Sequence, residues 1–256
     1  MKRSKILDRA HDPNLISGIY NYCNRWCERC AFTSRCLDYD GEELSGPDKE
    51  QFWEKIRETF EQTRKLLEDI AEEKGIDLYN FPVDHEFERK SGEKRQETED
   101  DELSKAVSHY SHWVQQWFEA HKKAFERAEH WLDQNFQLGI REGETHELAH
   151  RIGDAVEVVR WYQHQIYVKL MRALSSTDGL IGDLKEGDWP SDVNGSAKAA
   201  LIGMDDSIAA WGRLQQCLPE QSDEILGILI FLEKLRRNTE KRFPHARVFL
   251  RPGFDE

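Results

Sequence analysis

Apolar residues recur at helical spacing over most of the chain, and no run alternates with the two-residue period of a strand. Asp12-Pro13 is a helix-start signal, an N-cap acid followed by proline. It predicts a helix through Ile16, Ile19 and Tyr20 into a cysteine-rich stretch. Phe52, Ile56, Phe60, Thr63, Leu67 and Ile70 predict a helix over 48–74, stopped by Gly75, after a turn over 41–47. Leu78, Tyr79, Phe81 and Pro82 predict a loop tucked against the core. The almost purely charged stretch 84–101 reads as a solvated, mobile loop. Leu103, Val107, Tyr110, Val114, Trp117, His121, Ala124, Ala128 and Trp131 share one face of a long helix over 102–136. A further helix spans 142–174, on Leu148, Ile152, Ala155, Val159, Tyr162 and Ile166. Glycine and proline make 179–195 a loop. Asn194 then caps a helix over 196–218 that is apolar nearly all round and therefore central. Pro219 and Ser222 open the last helix, with Ile225, Ile228, Leu229, Leu232 and Leu235 inward.

The expected fold is all-α, an antiparallel bundle of about five to six helices with an amino-terminal four-cysteine metal-binding knot. Residues 1–45 form the first helix and the knot, 46–242 the bundle, and 243–256 an extended carboxy-terminal tail.

Composition narrows the functional classes. The net charge of −13 argues against nucleic-acid binding by the whole surface. Bases do cluster at the two ends, in 1–36 and 234–251. If those ends meet they form a basic patch for a phosphate or an acidic partner, or they pair with the chain's own carboxylates. Nothing approaches the length of a membrane span, and residues 1–10 lack the apolar run of a secretory signal. A cytoplasmic protein is expected, with a protein or small molecule as partner and the oligomeric state open.

Four of the five cysteines, Cys23, Cys27, Cys30 and Cys36, fall in the pattern C-x3-C-x2-C-x5-C. Core packing gives no reason for such density, whereas zinc and iron–sulfur clusters need a cage of soft thiolates. Small buried thiols on one helix face and disulfides are the alternatives. An unbroken helix would hold the Cα atoms of Cys23 and Cys30 about 10.5 Å apart. That is too far for two cysteine arms to reach one ion, so a single zinc requires the helix to break near Cys27. A [4Fe-4S] cluster is wider and accepts a continuous helix. Zinc is the expected occupant and the cluster its alternative, with Arg25, Arg29 and Arg35 to balance the charge.

Cys23, Cys27 and Cys30 also resemble the C-x3-C-x2-C signature of radical S-adenosylmethionine enzymes, over eight residues. That family has an aromatic before the last of the three cysteines, where this chain has Arg29. Its βα barrel also needs a strand–helix alternation that is missing here, so the resemblance assigns no activity.

A second set of candidates lies along the 142–174 helix. Glu147, His150, Asp154, Glu157, Trp161 and His164 share one face, and Glu147 with His150 has the Glu-x-x-His form of di-iron carboxylate bundles. Only one such pair exists, so the stripe is either a carboxylate/histidine metal site or a solvated polar face. Asp205 sits in an apolar helix and must be paired, with Lys198, Arg172 or Lys169 in reach. His121, Asp205 and Tyr162 could line a ligand cleft. No nucleophile with an adjacent base stands out. The expected function is therefore a metal-binding scaffold or regulatory interaction protein. The alternative is a metal-dependent oxidoreductase.

Overall fold

The computed structural model describes residues 12–39, 49–77, 85–137, 142–175 and 189–255. Among these residues the secondary structure is helical, with no strand. Seven α-helices follow in order: α1 (Lys49–Lys74), α2 (His85–Asp100), α3 (Glu102–Ala120), α4 (Lys122–Gln137), α5 (Glu142–Ser175), α6 (Trp189–Cys217) and α7 (Ser222–Arg242). No helix among the described residues is long and apolar enough to cross a membrane.

Four of the helices share one core, and their side-chain pairs fix the directions. Along α5 and α6, Arg172 meets Asp192, Tyr162 and Ile166 meet Gly203, and Arg151 meets Gln216, so the two run antiparallel. Ser104 on Met171 and Arg160 over Phe118 set α3 antiparallel to α5. Gln215 on Ser222 and Arg236 near Asp205 do the same for α6 and α7. Between them lie Tyr110, Val114, Ile166, Leu170, Leu201, Trp211, Ile228 and Leu232, all without solvent exposure. Each such large side chain contributes ~1.5–3 kcal/mol of transfer free energy.

Several expectations are corrected. Residues 12–30 do not form an α-helix. The chain makes three single 3₁₀ turns, Ile19–Asn21, Cys27–Arg29 and Thr33–Arg35. Gly18 at φ 74° and Arg25 at φ 59° are left-handed positions that an α-helix cannot contain. The charged stretch 84–101 contains helix α2, laced by Arg89–Glu93 and Arg95–Glu99 pairs one turn apart. The helix expected over 102–136 divides at His121, whose backbone (φ −101°, ψ 8°) leaves the helical region. Its imidazole Nδ1 lies 2.8 Å from the Trp117 carbonyl. Helix α6 starts at Trp189, so Asn194 is inside the helix and is not its cap. The tail is folded into turns, with Ala246 N–H donating to Phe243 O and Phe254 N–H to Arg251 O. Phe60 on α1 and Trp131 on α4, expected to face the core, are 73% and 53% exposed. The turn over 41–47, the loop from Leu78 to Pro82 and most of the loop over 179–195 lie outside the described residues.

Candidate metal centre

The cysteine segment is built from repeated local geometry. Cys30 and Cys36 each follow a single 3₁₀ turn in extended backbone, and each donates its N–H to the carbonyl three residues back, Cys27 O and Thr33 O. Such a turn raises a side chain out of the backbone, which is what a ligand needs. The Cys30 sulfur accepts the Phe32 N–H at 3.4 Å, and the Cys23 thiol donates to Tyr20 O at 3.5 Å. An amide aimed at sulfur stabilises thiolate charge.

All four cysteines line one cavity, together with Ile19, Tyr20, Trp26, Phe32, Tyr39 and Phe254. Its free volume is about 20 Å³, and a single water requires ~10–15 Å³. Burial pushes the Cys27 thiol up, with Cys23, Cys30, Cys36 and Glu28 adding to the effect, so the other three thiols lie within electrostatic range of Cys27. Among the described residues no three His, Cys, Asp or Glu side chains are gathered closely enough to hold one ion.

The segment is seated on α5, on the middle of the polar stripe. Arg29 donates to Asp154 Oδ1 at 2.7 Å and pairs with Glu157. Its guanidinium lies 4.0 Å over Trp26, which in turn stacks on Trp161. Trp161 Nε1 donates to Asn24 O at 2.9 Å. Asn24 Nδ2 donates to Tyr162 Oη at 2.8 Å, and the Tyr162 hydroxyl donates to Asp206. Burial raises the Tyr162 phenol to about 12. Lys169, 5% exposed, donates from Nζ to Asn21 O at 2.8 Å. Burial lowers that ammonium to about 8; Cys23 and Asp192 oppose the shift, and Arg172 and Arg25 add to it.

The tail closes the other side. Phe254 meets Phe32 edge to face and lines the cavity; Phe249 meets Tyr22 in the same way. Gly195 on α6 admits both Tyr22 and Phe249, since a Cβ there would lie 2.8 Å from Phe249 Cε1. Asp255 anchors the tail to Arg251 and to Lys198, at 3.0 and 2.8 Å.

The other sequence candidates are dispersed. Glu147, His150 and His164 are exposed, and Asp154 is shared by Arg29 and Arg213. His121 stacks on Trp117, its Nε2 3.3 Å from Glu224. Asp205 is held by Arg247 at 2.6 Å, with Arg236 at 3.8 Å. Lys198, Arg172 and Lys169, its expected partners, are engaged with Asp255, Asp192 and Asn21. Of the expected cleft residues only Tyr162 touches the cysteine segment, through Asn24. The described parts of the two end segments meet at Tyr22 and Phe249, and several of their arginines pair with carboxylates of the chain: Arg25 with Asp38, Arg237 with Glu233, Arg247 with Glu240. Lys169, Trp26 and Phe254 were not singled out from sequence for this site, because nothing local marks them. No family model, curated protein or solved structure shows significant similarity to the chain.

Proposed function

We propose that the protein is a metal-binding helical bundle whose Cys23, Cys27, Cys30 and Cys36 hold a thiolate-bound centre. The centre clips the amino-terminal segment and the carboxy-terminal tail onto the helices. The observation that supports this is that all four cysteines, carried by successive short turns, line one aromatic-walled cavity. Soft thiolates in an apolar wall are the donor set of zinc and of iron–sulfur centres.

Zinc is the occupant expected, with a [4Fe-4S] cluster as its alternative; four thiolates can hold either. A closed tetrahedral zinc–thiolate cage draws four sulfurs to one point with bonds of ~2.3 Å. A cluster spreads its four cysteines wider. Zinc is favoured by one feature: the left-handed Arg25 breaks the helix that would have kept Cys23 and Cys30 apart. Zinc fits a scaffold or regulatory protein with a structural clip. A cluster admits one-electron chemistry as well.

Elemental analysis and absorbance of anaerobically purified protein test the reading. Iron with sulfide, and a broad absorbance near ~400 nm that bleaches on reduction, identifies the cluster. One redox-silent zinc per chain identifies the clip. Protein with neither metal, unable to take up either, rules out the centre.

A further inference from the structure

We infer that Lys169 is the counter-cation of the thiolate centre, acting from outside the ligand set; this rests on the four-cysteine reading above. Lys169 projects from the last two turns of α5 into the interface with the cysteine segment and is 5% exposed. Its hydrogen-bond partner there is the neutral carbonyl of Asn21, two residues before Cys23. Among the described residues no carboxylate lies within ion-pairing distance of its ammonium. Asp192 is held by Arg172 at 2.6 Å, and Asp38 by Arg25.

A buried ammonium without an anion is costly by several kcal/mol, and an apolar side chain of the same length would fill the slot without that penalty. Two groups near Lys169 can carry negative charge: Asp192, already paired with Arg172, and Cys23, two residues on from the Asn21 carbonyl that Lys169 holds. Four thiolates around Zn²⁺, or around a [4Fe-4S]²⁺ core, leave a net charge of about −2 in an apolar pocket. Either occupant supplies the anion that Lys169 lacks. The three arginines that the sequence offers for the same task are exposed, unlike Lys169, and make other contacts. Arg25 and Arg29 pair with Asp38, Asp154 and Glu157, and Arg35 donates from Nε to Asn14 O. Lys169 therefore sets how firmly the centre is held and, for a cluster, how readily it accepts an electron.

The test compares wild type with Lys169→Met, Lys169→Gln and Lys169→Arg, each as the full chain purified anaerobically. Glutamine keeps a donor for Asn21 O without the charge, and arginine keeps the charge. Metal release to excess chelator is timed, and far-UV circular dichroism checks the fold. The Met and Gln variants should lose metal at least ~10-fold faster, the scale of losing an outer-shell partner of a metal ligand, and Arg should stay near the wild-type rate. In a cluster protein the Gln variant should also have a more negative reduction potential, because the more anionic reduced state loses its cation. Should Lys169→Met fail to fold, Lys169→Gln decides. A Gln variant that keeps the wild-type release rate overturns the inference, as does an Arg variant that releases as fast as Gln. Wild-type protein that binds no metal removes the four-cysteine reading itself, and this inference with it.

Discussion

Trp26 and Trp161 lie nearly face to face, 5.0 Å between ring centroids and 20° between planes. One ring belongs to the cysteine segment and the other to the polar stripe of α5. With the Arg29 guanidinium over the far face of Trp26, they form a stack that anchors the candidate centre to the helices. The stripe around Trp161 is therefore not simply a solvated face. Its middle is a docking surface, with Asp154 and Glu157 as its charged rim.

Trp161→Ala should cost ~2–4 kcal/mol, the lower part of the range for deleting a large aromatic because the ring is only partly buried. Denaturant unfolding measures the loss, and hydrogen exchange should show it concentrated in residues 12–39. A change under ~0.5 kcal/mol would mean that the segment is held by other contacts.

Cys27→Ser should release the bound metal and destabilise the protein by several kcal/mol, because binding energy at such a site is folding energy. Since Phe254 shares the cavity with the four cysteines, amides of residues 243–255 should lose protection together with residues 12–39. Metal analysis with exchange mass spectrometry follows both. A tail that stays protected in the metal-free variant would separate the two ends.

Asp205→Ala should cost only about 1 kcal/mol. Its carboxylate accepts two hydrogen bonds from Arg247, but the two side chains are 44% and 36% exposed, and solvent screens the pair. A loss above ~3 kcal/mol in denaturant unfolding would show that Asp205 behaves as a buried ion.

Asp255 gives the tail a pH dependence of defined sign. Hydrogen bonds from Arg251, and also from Lys198, hold its carboxyl below the ordinary carboxylate range. A depressed folded-state pKa means that the stabilisation is fully present above the unfolded value of ~3.9 and declines as pH falls below it. Tail protection in wild type should thus be flat from neutral pH to about 4 and fall below it. In Asp255→Asn that step should be absent. A wild-type tail that loosens between pH 5 and 7 would assign its anchorage to another group.

Local pattern carried most of the helix assignments. The 142–174 periodicity corresponds to α5, and Ser222 does open α7. It failed where a backbone angle overrides spacing. Cys23, Cys27 and Cys30 stand at helical intervals, yet Gly18 and Arg25 adopt left-handed φ and leave only single turns. It failed again at His121, where ring stacking on Trp117 and a bond to its carbonyl end a helix that the apolar pattern continues. The charged composition of 84–101 suggested a loop because solvated charge resembles disorder. Pairs one turn apart support a helix there instead.

The sequence by itself determined that the chain is helical and that four thiols lie within a short segment, since periodicity and composition are local properties. Only the tertiary structure decided what covers each face. It seated Trp26 on Trp161, brought Phe254 from the far end of the chain to the cysteine cavity, and buried Lys169 against the Asn21 carbonyl. Helical spacing specifies which residues point the same way. Which surface they meet depends on contacts more than a hundred residues apart, and no local pattern encodes those.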